Sequence, residues 1–260
     1  MVNKPSTPDP GRAVAAALEL LVRQGYDATS VDDLAVAAGI SRSTFFRKFG
    51  SKEDMVFADH DRILARVEDQ LSRPAQDPLA AVADAALLVF EHHVRNRGTS
   101  LTRHELLHQV PALRDRELVM THRYQRAFRR YLQYALPEGP GSEPGTREAS
   151  GAGEYGAREY GAVAYAASVV AVHNSVLRMW LGEAAAGSPP ELDRELAARL
   201  GRELRALADT FRPVLGGAPL SGAAMSGSAA SAGRPAVVVA VLDPAAGTEQ
   251  ILQAVREALA

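Results

Sequence analysis

Cysteine is missing from all 260 residues, so no disulfide framework and no thiolate-bound metal can hold this chain together, which fits a reducing compartment. The start, Met1 to Gly11, is polar and proline-containing and lacks the basic end and apolar stretch of a secretory signal. No run reaches the roughly 18 apolar residues of a membrane span. Neither sign of charge dominates, since 29 Lys and Arg stand against 31 Asp and Glu for a formal net charge of -2. A Gly-rich phosphate loop and a His-Glu-x-x-His metal helix are also missing, so no catalytic residues, cofactor or metal are assigned and the chain is not read as an enzyme. These absences leave a cytoplasmic, mostly helical protein without a membrane partner, long enough for one large or two modest domains.

What is present concentrates between Ser30 and Lys52. Ser30 caps a short helix with Asp33 three residues on, a capping box built with the shorter acid, and Asp32 and Asp33 suit the positive helix start. Leu34, Val36, Ala37 and Ile40 are assigned to its buried side, and Gly39 to an exit turn with positive φ. Ser41 caps a second helix that opens with Arg42, Ser43 and Thr44, while Phe45 and Phe49 lie four apart on one face. Two capped helices around a glycine make a helix-turn-helix, whose polar side is free to enter a major groove. A plain helical hairpin carries the same caps; the charge separates the two. From Ser41 to Lys52 there are Arg42, Arg47, Lys48 and Lys52 and no acid, the local basic footprint that phosphate contact needs on a slightly acidic chain.

Around this stretch the apolar spacing is helical. Arg12 to Gln24 carries Val14, Leu18, Leu21 and Val22 and stops at Gly25. Ser51 caps a long amphipathic helix to about Ser72, and Asp77 with Pro78 starts another over Leu79 to Asn96 that Gly98 ends. Thr99 to Val110, Leu113 to Leu136, Tyr160 to Leu181 and Glu191 to Val214 follow, with a flexible loop expected over Pro137 to Gly153. Gly216 to Gly233 reads as linker, Ala236 to Leu242 as a strand and Thr248 to Leu259 as a helix. The fold expected is therefore all-α with a short strand-helix appendage: an arm over 1–11, a three-helix head over 12–56, a helical body over 57–215, a linker over 216–235 and the appendage over 236–260.

The order of a helix, Gly-Tyr-Asp-Ala-Thr-Ser-Val, then Leu-Ala-Val-Ala-Ala-Gly-Ile-Ser-Arg-Ser-Thr-Phe-Phe-Arg-Lys-Phe-Gly-Ser-Lys-Glu-Asp resembles the TetR/AcrR family of transcriptional regulators over about Arg12 to Val56. The resemblance implies a homodimer on an inverted-repeat double-stranded operator, acting as a repressor that a small-molecule effector relieves. It implies phosphate contacts from Thr29, Ser30, Thr44 and Lys52 and base contacts from Arg42, Ser43 and Arg47, with Lys48 in the same basic run. Where the family has tyrosine this chain has Phe46, which either packs on sugar or a thymine methyl or caps the core. The last two body helices would pair with their copies, small residues such as Ala164, Ala167, Ser168 and Ala171 allowing close approach. The unusual appendage leaves a second reading open, an activator or ligand-independent regulator controlled by a protein partner.

The effector side is less determined. His104 and His108 form an i, i+4 pair, read as solvated surface in preference to a metal site. His173, Asn174 and Arg178 interrupt an apolar helix; they serve either a polar link across the dimer or the cationic end of a pocket for an organic acid or acyl thioester. Arg103, His104, His108 and Tyr124 are the candidates for the facing wall.

Overall fold

The computed structural model describes residues 10–136, 152–215 and 253, and among them every element is a helix. Residues 1–9 of the arm, most of the expected loop, the linker and the expected strand and helix of the appendage, Gln253 apart, lie outside the described residues, while Pro10 and Gly11, assigned to the arm, instead open the first helix. Helix α1 (Pro10–Gln24) buries Val14, Leu18 and Leu21 as the spacing predicts, with Val22 turned outward. Helices α2 (Val31–Ala37) and α3 (Arg42–Lys48) follow, each closed by its serine. The Ser30 hydroxyl accepts from Asp33 N–H and the Asp33 carboxylate accepts from Ser30 N–H, while Thr44 N–H donates to Ser41 Oγ. Gly39 stands between them at φ 66°, a conformation that a Cβ would strain.

One detail of α2 differs from its pattern. Leu34 is buried, but its neighbours in the core are Ala35 and Ala38, whereas Val36 is 79% exposed. Counting hydrophobic residues favours valine; the helix phase set by Leu34 turns the two alanines inward and Val36 out.

The helix expected from Ser51 to Ser72 is two. Helix α4 (Lys52–Val56) and helix α5 (Ala58–Leu71) meet at Phe57, whose φ of -109° and ψ of 11° leave the helical region. The next break also moves: α6 (Pro78–Arg95) ends at Asn96, whose side-chain amide donates to His92 O at 2.8 Å, and Gly98 falls inside α7 (Arg97–Gln109). Helices α8 (Pro111–Ala135), α9 (Ala152–Ala185) and α10 (Pro190–Leu215) complete the body.

The body core gathers Phe90, Phe128, Tyr165, Trp180 and Phe211 from α6, α8, α9 and α10. By length and composition Arg158–Ala185 is apolar enough to cross a membrane, contrary to the reading of the sequence, but 56% of its most apolar 18-residue window is buried. The turn into α10 is tied by Asp193, which accepts from Trp180 Nε1 at 2.6 Å and from Arg97 at 3.1 Å. Arg212 holds the end of α10 to the α6 cap residue Asp77 at 2.7 Å.

Tyr165 donates its buried hydroxyl to Leu79 O at 2.8 Å. Tyr165→Phe should therefore cost about 1 kcal/mol in urea unfolding, because one buried hydrogen bond between α9 and α6 is lost. Leu204→Ala, which empties a fully buried site in α10, should cost about 2 to 5 kcal/mol in the same measurement.

Candidate functional site

Two features stand out, the outer side of α3 and a cavity under the joint between head and body. On α3, Phe45 and Phe49 are buried with ring centroids 5.4 Å apart, which turns Arg42, Ser43, Phe46, Arg47 and Lys48 outward. Arg42 Nη1 is 2.5 Å from Asp32 of α2, an exposed pair that contributes little and yields readily to a stronger anion. The Arg42 guanidinium also lies 5.3 Å from the Phe46 ring centre. Phe46 itself is 45% exposed, so it is available to a partner and does not cap the core.

The expected phosphate residues divide. Ser30 and Thr44 sit at helix starts, Ser30 exposed and Thr44 half-buried, with the Thr44 hydroxyl 2.9 Å from Ser41 Oγ. Thr29 is buried at 1% exposure and donates its hydroxyl to Gly25 O at 2.7 Å, so its side chain faces the chain itself. Lys52 donates to Tyr26 O at 2.9 Å and Thr29 O at 3.1 Å, and its Nζ sits 4.4 Å over the Tyr26 ring. These two residues brace the loop before α2 that positions the outward-facing ones.

The joint is built on Arg103 of α7. At the Phe57 break, His60 N–H bonds to Phe57 O at 2.9 Å in place of Val56 O. The freed Val56 carbonyl accepts from Arg103 Nε at 3.0 Å. Arg103 Nη2 reaches Asp59 at 2.6 Å and its Nη1 lies 3.1 Å from His60 Nε2. Burial raises the Asp59 carboxyl, but the charge of Arg103, the bond to His92 and the remaining contacts outweigh it and hold the group well below the usual carboxylate range. Two further pairs span the joint from α8: Arg116 with Asp54 at 2.6 Å and Arg123 with Asp61 at 2.5 Å.

Beside Arg103 opens a cavity of about 720 Å³, its open mouth included. It brings together five of the predicted effector residues, Arg103, His104, Tyr124, His173 and Asn174. His108 and Arg178 do not line it; both are exposed, and His108 pairs with His104 at 3.2 Å between Nε2 atoms. Among the described residues no group of three or more His, Asp or Glu is placed to hold a metal. The wall also contains His60 and His93, which the sequence did not single out. Burial depresses the imidazoles most: His60 falls to about 3, His173 to about 4, and His93 well below its ordinary 6.5. The missed signal was His60 itself, nine residues beyond the cap Ser51 and in a helix otherwise patterned by aliphatic residues.

A capped helix-turn-helix with an outward basic side, joined to a helical body, is an arrangement suited to DNA contact. Comparison with known proteins finds likeness over this part of the chain. Residues 13–58 match the model of the bacterial regulatory proteins of the tetR family. MftR of Mycobacterium tuberculosis, named as a transcriptional regulator, is 39% identical over 75 residues, 28% of this chain and 38% of that protein. The HTH-type transcriptional regulator EthR of Mycolicibacterium smegmatis is 32% identical over 118 residues, 43% of this chain and 54% of that protein. Over this head the chain is similar to TetR-family transcriptional regulators. It spans between about a third and about a half of the length of these curated relatives. The crystal structure of the TetR-family regulator PfmR from Thermus thermophilus aligns at a TM-score of 0.38 and 20% identity, over 74% of this chain and 97% of that one.

The buried imidazoles give the fold a pH dependence of definite sign. Their folded values lie below the ordinary 6.5, so the unfolded chain takes up protons first and stability present above that value is lost as pH falls toward the folded values. Each contributes a slope of up to about 1.4 kcal/mol per pH unit in that window, and urea unfolding at about pH 7.5 and about pH 5.5 should show a drop of a few kcal/mol. A flat profile would contradict neutral burial.

Proposed function

We propose that this protein is a sequence-specific transcriptional repressor that binds an inverted-repeat operator as a homodimer and releases it when a small molecule occupies the cavity beside Arg103. The observation that carries the reading is the outward side of α3, where Arg42, Arg47 and Lys48 stand without an acidic residue on a chain of net charge -2. Arg42, Ser43 and Arg47 read bases, Ser30, Thr44 and Lys48 meet phosphates, and Phe46 packs on sugar or a thymine methyl. Thr29 and Lys52 act by bracing this surface. Two such helices are needed to read two half-sites, and the partly exposed stripe of Tyr160, Val163, Ala164, Ala167 and Ala171 on α9 is the surface through which two copies pair.

The cavity supplies the regulation. Arg103 lines it and also holds Val56 O at the end of α4, so a molecule lodged against Arg103 is one hydrogen bond from the backbone that carries the head. Only about 1 to 3 kcal/mol of coupling is needed for a 5- to 150-fold change in operator affinity.

Selection of genomic fragments bound by the full chain provides the operator. Against that fragment, Arg42→Ala should cost about 1 to 3 kcal/mol and relax preference at one base pair, while Lys48→Ala should weaken all sequences alike and reduce the salt slope by about 1. Binding that is salt-independent and indifferent to sequence, in the parent and both variants, would refute the assignment.

A further inference from the structure

The hydrogen bonds around the cavity determine which of its nitrogens carry protons. Arginine only donates, so His60 Nε2 facing Arg103 Nη1 accepts, and the His60 proton sits on Nδ1, 3.4 Å from the Tyr124 hydroxyl. Ser100 donates its one hydroxyl hydrogen to His93 O at 3.1 Å; His93 Nδ1, 3.3 Å from the same oxygen, is therefore the donor and its Nε2 bears a lone pair. His173 Nδ1 lies 3.1 Å from Asn174 Oδ1, an acceptor, which again leaves Nε2 as a lone pair. That last atom differs from the others. His173 is 7% exposed and lines the cavity, and its Nε2 is buried with no hydrogen-bond partner among the described residues. A buried acceptor left unpaired is costly, and native proteins keep few of them.

The charge of the cavity is just as restricted. Arg103 is the sole arginine or lysine on its wall among the described residues, and its guanidinium is already committed to Asp59, Val56 O and His60. Glu117 adds a carboxyl at the rim. The remaining wall is apolar, with Phe57, Val89, Phe128, Val170 and Leu181 among its members. An anion entering here would meet imidazole lone pairs and no free cation.

We infer that the cavity takes an uncharged molecule with an apolar body that presents an O–H or N–H donor to Nε2 of His173, and that it rejects carboxylates and phosphates. The depressed values of His173 and His60 agree with this, since they keep both rings neutral at physiological pH. The inference rests on the reading of the cavity as the effector site and replaces the organic acid that Arg178 suggested; Arg178 is exposed and off the cavity wall.

Calorimetric titration of the full chain with three matched probes tests it: para-propylphenol, its methyl ether para-propylanisole, and para-propylbenzoate. The phenol should bind about tenfold more tightly than the ether, which lacks the donor, and the benzoate should bind more weakly than either. In His173→Phe the phenol and the ether should bind alike to within about twofold, since neither then meets an acceptor. Where that variant does not fold, the ranking on the unsubstituted chain decides alone. Benzoate binding as tightly as the phenol, or an ether equal to the phenol, overturns the inference and leaves the effector cavity standing. Discrimination that persists in folded His173→Phe overturns it as well. Binding by none of the three sinks the inference and the effector cavity together.

Discussion

Arg103 is a guanidinium whose side chain is 5% exposed, and a charge so placed survives only if every donor finds a partner. Asp59 supplies the counter-charge, His60 a lone pair and Val56 a backbone carbonyl. The carbonyl is available because the chain leaves helical geometry at Phe57, where the next amide bonds one residue short. Break and arginine thus require each other. Removing the arginine would strand Asp59 in the interior, a loss of about 3 to 5 kcal/mol for buried pairs of this kind. Closing the break would take Val56 O back into the helix.

That dependence also orders the cavity. With Arg103 fixed, His60 is fixed as an acceptor toward it and as a donor toward Tyr124, and the polar character of the wall follows without any net charge. The arginine therefore acts at a distance from its own ion pair, by deciding how neighbouring rings are protonated. The tie to α4 and the neutrality of the cavity are two results of one buried contact.

Much of the head was legible in the sequence because its signals are local. Ser30, Ser41 and Ser51 each cap the helix they precede, Gly39 has the positive φ its turn demands, and the basic run needs only counting. What the sequence does not show has one cause, that a contact between distant elements leaves no periodic trace. The continuous pattern from Met55 to Leu71 shows no sign of the Phe57 break, because the group that stabilises it comes from α7. Thr29 and Lys52 carry the residue types of phosphate ligands, yet three-dimensional neighbours, Gly25 O and Tyr26 O, use their donors. Arg178 and His173 share a helix, and only the packing of α6 and α8 against it separates an exposed cation from a sealed ring.

The head's apolar core does not stop where its last helix does. Leu106 and Val110 from the end of α7, with Leu113 and Met120 from α8, pack into the same cluster as Leu18, Leu34 and Phe45. Val56 marks a bend in the backbone but not an edge of the core. Head and body in this chain are accordingly not interchangeable cassettes. A chimera cut at that bend would carry an open hydrophobic wound, and a seam that travels cleanly has to run beyond Met120, taking part of the cavity wall along with the head.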